Sequence, residues 1–262
     1  RFNRKRLERG GTMPRVIAIA NQKGGVGKTT TAHNVAASLT YKEYRVLMID
    51  LDPQGNLSFI AGADSVNKPT VYEVLNDKVS IKNALQQTKS GHIIPANILL
   101  SGADMEIKRP ELLRNKVEAV KNGYDYVLID TPPSLGILTI NALTAADSVI
   151  IPLSADVLSL QGLSQLYSTI EAVRRHSNPG LKIEGLLFTQ HNNRTLLSRE
   201  FEKAAKAAAK RMNTKVFQTF IRASVATREA QANQTDILTY APVSPTAAGY
   251  NALTAEIIKG GK

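Results

Sequence analysis

At 262 residues, with a formal charge of +11 and no cysteine, the chain can bury a substantial core but offers no disulfide, zinc-thiolate or iron–sulfur ligand set. The positive balance is unusual for an enzyme of small molecules and points to a polyanionic partner. Arg1, Arg4, Lys5, Arg6 and Arg9 against Glu8 contribute +4 of it. Met13 has the look of a natural start, so residues 1–12 read as an added or flexible basic arm and +7 remains on residues 13–262.

The apolar stretch Val16–Ala20 predicts a strand that delivers the chain to Lys23-Gly-Gly-Val-Gly-Lys-Thr-Thr30. Gly24, Gly25 and Gly27, with Val26 among them, tolerate positive φ and let backbone N–H groups approach an anion. A helix over about 28–40 adds its unpaired first-turn N–H groups and the positive end of its dipole. Lys28 is spaced to reach β- and γ-phosphates and the Thr29 hydroxyl to ligate Mg²⁺, with Thr30 beside it. The usual G-x-x-x-x-G-K-[ST] pattern asks for a glycine where Gln22 stands, and Lys23 adds a second cation at the loop entrance. The bland alternative is a glycine turn between two solvated lysines. The joint occurrence of strand, glycines, lysine, threonine pair and helix argues against it.

Two later apolar runs end at an acid shortly before a proline: Arg45–Asp50, continued by Leu51-Asp52-Pro53, and Tyr126–Asp130, continued by Thr131-Pro132. Proline cannot continue a central strand, so each acid is presented at the sheet edge and a loop follows that can sense a γ-phosphate. Asp130 suits an outer-shell Mg²⁺ role through water. Asp52, in the loop proper, is placed to orient or deprotonate an attacking water and is a further candidate near the metal. Asp50 reads equally as an acceptor for the loop backbone or as a metal contact.

Residues 57–110 carry weak strand signals and short helical patches at 71–76 and 81–87, which read as an insertion on the core. A helix at 111–122, a helix at 138–146, a strand at 148–153, a long amphipathic helix at 157–176 and a strand at 183–189 follow. This alternation, without repeat or low-complexity linker, predicts one α/β domain: a mostly parallel twisted sheet flanked by helices on both faces. A helix at 198–212 spaces Lys203, Lys206 and Lys210 along one face among five alanines, with Arg211 and Lys215 extending the patch and Arg222 and Arg228 as candidate neighbours. Such a face would touch DNA phosphates and carry no base information; it would equally well keep a helix solvated. His33, His92, His176 and His191 are isolated in sequence and show no metal spacing. No run of about 18 apolar residues and no signal-peptide stretch occurs, so a cytoplasmic protein without a membrane partner is expected. The segment 247–259 lacks the basic, bulky-apolar tail that would lay it on a membrane.

The set Asn21–Thr31, Asp50-Leu-Asp-Pro-Gln-Gly-Asn56 and Asp130-Thr-Pro-Pro-Ser-Leu-Gly136 resembles the ParA (Soj-like) DNA partition ATPases, P-loop NTPases of the deviant Walker-A type in the MinD/ParA superfamily. Looser likeness runs through Leu187–Thr195 and Arg228-Glu-Ala-Gln231 to the final helix, covering about 13–258. The resemblance implies an ATPase that uses ATP and Mg²⁺, closes as a homodimer over two nucleotides and turns over slowly until a ParB-type centromere-binding partner stimulates it. It implies non-specific binding of double-stranded DNA by the ATP dimer, hence association with the nucleoid in plasmid or chromosome partition. Lys23 matches the signature lysine that reaches across the dimer, Asp52 the hydrolysis-linked aspartate, and Asn192 is the candidate adenine contact. Arg222-Ala-Ser224 and Val243 depart from many chromosomal relatives, which affects transfer of the base pocket and DNA surface. Lack of cysteine excludes the nitrogenase iron protein and iron–sulfur scaffold ATPases. Two rivals share the chemistry: an ATPase that positions another cargo, and a nucleotide-locked DNA-coating protein whose hydrolysis is incidental.

Overall fold

The computed structural model describes residues 13–102, 106–154, 157–191 and 196–260. Seven strands form one sheet: β1 (Arg15–Ile19), β2 (Val46–Asp50), β3 (Gln86–Thr88), β4 (Gly91–Ile94), β5 (Tyr126–Asp130), β6 (Ser148–Ser154) and β7 (Lys182–Thr189), in the order β3-β4-β2-β5-β1-β6-β7. All neighbours pair in parallel except β3 with β4.

Parallel strands need both faces covered, and the near-continuous apolar runs of β1, β2 and β5 supply for it. Val16, Ala18, Leu47, Ile49, Val127 and Ile129 face one core. It is closed by α3 (Val71–Leu75), α4 (Leu112–Glu118), α5 (Ile137–Ala145), α6 (Val157–His176) and α7 (Leu196–Arg211). Ile17, Ile19, Met48 and Leu128, one residue out of phase, face a second core. There α1 (Lys28–Tyr41) packs with α8 (Val225–Ala232), α9 (Ile237–Tyr240) and α10 (Pro245–Gly260), and the short α2 (Asn56–Ile60) adds Leu57 and Ile60. No described helix is long and apolar enough to cross a membrane.

Residues 57–110 are more than an insertion, since they extend the sheet by β3 and β4. The patch at 81–87 is helical only as a 3-10 turn over Ile81–Ala84, after which Gln86 begins β3. Strands of three and four residues, one of them Gln-Gln-Thr, are too short and too polar to give a period-2 signal. Gln86 is held by the backbone of Asp64, donating to its carbonyl at 2.7 Å and accepting from its N–H at 2.9 Å. From β1 the chain reaches β2 on one side and, later, β6 on the other. Crevices form at the carboxyl ends of strands where connections diverge in this way.

Candidate nucleotide site

The carboxyl end of β1 opens into residues 20–27, and α1 starts at Lys28 behind them. Gly25 and Gly27 have φ of 72° and 83°, a region costly to side chains. A Cβ added at Gly24 or Gly25 would meet nothing within 4 Å, so these glycines clear space for something outside the chain.

The loop is tied back by its carbonyls. Lys28 Nζ donates to the Lys23 carbonyl (3.1 Å), Gln190 Nε2 to that of Gly25 (2.7 Å) and Thr189 Oγ1 to that of Val26 (2.8 Å). Across each planar trans peptide the following N–H points the opposite way, so the N–H groups of Gly24, Val26 and Gly27 point away from those ties. Asn21 braces the entrance, accepting from the Lys23 N–H (2.9 Å) and donating to the Pro152 carbonyl (2.6 Å). Lys28 is buried; burial lowers its pKa, and Asp130 and Asp52 oppose that by favouring the cation. Lys23, half-buried, donates to Ser154 Oγ at 3.3 Å within its own chain. Thr30 accepts from Gln231 Nε2 of α8 (2.9 Å).

Asp50 and Asp130 are register partners at the ends of β2 and β5, and both are fully buried. Their environments differ. Asp50 accepts from the Asp52 N–H (3.0 Å), the Ser58 N–H (2.9 Å) and the Ser58 hydroxyl (2.7 Å), the kind of contact its reading as a backbone acceptor expects. Burial raises its pKa to about 6 against those donors. Neither oxygen of Asp130 lies in hydrogen-bond geometry with a described donor. Burial first, and the Asp50 charge second, raise its pKa well above the carboxylate range, opposed by the nearby Thr29 hydroxyl and the Lys28 cation. Asp52 is buried in the following loop and accepts from the Gln54 N–H (3.0 Å).

A buried, unpaired carboxylate is costly unless a cation or donor completes it. Asp130 beside Thr29, a buried lysine and an open cradle of N–H groups form a donor set that fits a nucleotide phosphate carrying Mg²⁺.

The predicted basic residues Lys203, Lys206, Lys210, Arg211, Lys215, Arg222 and Arg228 are all exposed. Helix α7 turns Phe201, Ala205, Ala209 and Met212 into the core, so the alanines do more than favour helix; they let the helix lie close to the sheet with its lysines outward. Lys206 and Lys210 line an open depression of about 460 Å³ with Asn213 and Thr214. Lys203 pairs with Glu200 (3.1 Å), and the Arg222 guanidinium lies over the Phe220 ring (5.7 Å). Asn192 lies outside the described residues, as does the arm 1–12. His33 and His92 bond Ser90 and Tyr124, and His191 bonds Glu202.

Sequence reading assigned no chemistry to Thr189, Gln190, Gln231 or Ser58. Thr189, Gln190 and Gln231 are remote along the chain from the groups they hold, and the only signal was membership of the loosely matching segments Leu187–Thr195 and Arg228–Gln231; Ser58 lies eight residues from Asp50, in a segment without such a signal.

A family model described as an AAA domain matches residues 14–183. The chain is 43% identical over 256 residues to the sporulation initiation inhibitor protein Soj of Bacillus subtilis, covering 95% of this chain and 100% of that protein. It is 40% identical to the chromosome partitioning protein ParA of Myxococcus xanthus, covering 97% and 92%. Among solved structures it superposes on cobyrinic acid a,c-diamide synthase from Mycobacterium smegmatis with bound ADP and magnesium at a TM-score of 0.81 and 37% identity, covering 94% and 95%.

Proposed function

The chain belongs to the Soj/ParA family of partition ATPases, and from that premise we propose that it is an ATP-dependent dimerising switch that binds DNA without sequence preference during plasmid or chromosome partition. The observation that carries this reading is the cradle: three loop carbonyls tied back, Lys28 buried among them, and the Asp130 carboxylate unpaired beside it. The partition relatives match at higher identity than the diamide synthase structure.

ATP with Mg²⁺ is the cofactor pair of this family. The metal, when bound, supplies positive charge that offsets the charge of the phosphate oxygens. Gly24, Gly25, Val26 and Gly27 present backbone N–H groups to those oxygens, and Lys28 neutralises them. The Thr29 hydroxyl would ligate Mg²⁺ and Asp130 would hold it through water, while Thr30 closes the first turn of α1. Asp52 orients the attacking water and accepts its proton. Asn192, three residues beyond Thr189, is the proposed contact to the base. Lys23 completes the site of a second copy of the chain, so intrinsic turnover is slow until that arrangement is made and a ParB-type partner acts. Residues 13–262 act as one ATPase domain that works on the nucleoid.

The exposed Lys203, Lys206, Lys210, Arg211, Lys215, Arg222 and Arg228 engage DNA phosphates, which carry no sequence information. Affinity for unrelated duplexes, measured with ATP and with ADP across a salt series, tests the reading. Binding is expected to be similar for all sequences, stronger with ATP, and steeply salt-dependent; Lys206→Ala should reduce the log–log salt slope by about 1. Binding indifferent to nucleotide or to salt would sink it. Asp52→Ala separates the switch from a passive coating protein, since a switch stays trapped on DNA and a coat is unaffected.

A further inference from the structure

The end of β7 reaches two places at once. Thr189 and Gln190 hold the carbonyls of Val26 and Gly25 in the nucleotide loop, and the Thr189 methyl faces Gly27, where an added Cβ would lie 3.7 Å away. The next residue, His191, faces the other way. Its Nε2 is 3.0 Å from Glu202 Oε1 on α7, the helix that carries Lys203, Lys206 and Lys210.

Three further observations make this junction more than a chance contact. Gln190 takes a left-handed backbone, φ 51°, which is uncommon for a residue with a side chain; that turn aims 190 at the loop and 191 at the helix. The imidazole is buried, stacked on Phe188 (5.3 Å between centroids) and edge-on to Phe220 (5.1 Å), so it cannot swing to another partner without opening the core. Its Nδ1 is buried with no partner among the described residues, and since a carboxylate oxygen only accepts, Nε2–H is the donor to Glu202. The same strand end also holds the segment before Arg222: the His191 N–H donates to the Ile221 carbonyl (3.0 Å) and the Ile221 N–H to that of Phe188 (2.8 Å).

We propose that the Gln190–His191 corner couples the nucleotide loop to the basic helix, with His191 and Glu202 as positioning residues that set where α7 presents its lysines according to what the loop holds. The inference rests on the nucleotide-switch reading above and deepens it by naming the route of regulation. A phosphate that draws the loop N–H groups toward itself moves the carbonyls of Gly25 and Val26. Thr189 and Gln190 follow those carbonyls, and the His191–Glu202 bond passes the displacement to α7 through a side chain locked between two rings.

Glu202 is the residue to change, because it is partly exposed and lies outside both the cradle and the basic patch, whereas removing the His191 ring would open the core. Hydrogen exchange of residues 200–211 is measured without nucleotide and with Mg²⁺ plus a non-hydrolysable ATP analogue, in wild type, Glu202→Ala and Glu202→Gln. Wild type should slow exchange in this stretch by about threefold or more on adding the analogue. Glu202→Ala should lose that response while residues 23–30 remain protected, and Glu202→Gln, whose Oε1 still accepts from Nε2–H, should recover it. In parallel, DNA affinity in Glu202→Ala should lose most of its preference for ATP over ADP. A wild-type helix that does not respond, or a Glu202→Ala helix that responds as wild type does, overturns the coupling. Failure of the nucleotide reading is visible separately, as missing protection of 23–30, and failure of the DNA reading as a wild type that binds no duplex in either state.

Discussion

Asp50 and Asp130 stand side by side one strand apart, yet the chain satisfies only one of them. Ser58 and the Asp52 N–H answer Asp50, while neither oxygen of Asp130 meets a described donor in hydrogen-bond geometry, its polar neighbours being the Lys28 cation and the Thr29 hydroxyl. The ligand-free protein therefore holds a destabilising group at its site, and Asp130→Asn should stabilise it by about 1–2 kcal/mol while lowering ATP turnover at least tenfold. Urea unfolding without nucleotide and phosphate release with Mg²⁺-ATP read the two effects. The sign with pH follows from the raised pKa. The stability contribution of Asp130 is fully present below its ordinary value of 3.8 and is lost as pH rises through its higher folded value. The advantage of Asp130→Asn over wild type should thus be small near pH 4 and grow toward neutrality; an advantage that shrinks with rising pH would contradict the assignment. The positions of Lys28, Asp52 and Asp130 were legible from spacing because each lies at, or within two residues of, a strand or helix end that its own segment defines. Thr189, Gln190 and Gln231 were not, because their partners lie 163, 165 and 201 residues away in the chain.

At the level of elements, strong periodicity translated directly. The pattern at 157–176 is the helix Val157–His176, the apolar run 16–20 is β1 at Arg15–Ile19, and the lysine-bearing helix at 198–212 is Leu196–Arg211. The β3–β4 hairpin had no such signal, since what defines it is long-range pairing with β2 and a tight start at Gly91. Gly91 has φ +111°, and a Cβ there would lie 2.6 Å from the Val46 carbonyl oxygen. Gly91→Ala should accordingly cost about 2 kcal/mol or more, because neither the dihedral nor the contact can be relieved without moving a central strand. Gly91 lies at the amino end of β2, away from the nucleotide loop, so nucleotide affinity should stay within about twofold. Thermal unfolding and a nucleotide titration on the same variant distinguish a local packing fault from a damaged site.

For the whole molecule, the decisive question is what Lys23 does, and a single chain frames it clearly. Its amine rests on Ser154 of its own chain, at 3.3 Å, while Lys28 already occupies the cradle. If Lys23 serves a facing copy, Lys23→Ala should bind Mg²⁺-ATP within about threefold of wild type yet sediment as a monomer where wild type doubles its mass. Loss of nucleotide binding would return Lys23 to a local role. The net charge of +11 belongs to the same scale: it suits the proposed polyanionic partner but does not say which face would meet it. Read alone, the chain dictates the phosphate loop, the two acid-ended strands, the α/β alternation and the basic surplus, because each is written in neighbouring residues whose spacing fixes local geometry. Only tertiary structure separates Asp50 from Asp130, joins residues 57–110 to the sheet, and sets the end of β7 between Lys23-Gly-Gly-Val-Gly-Lys-Thr-Thr30 and the lysines of α7. Those outcomes depend on which groups meet after the chain has crossed the sheet, and burial and hydrogen-bond satisfaction are decided there.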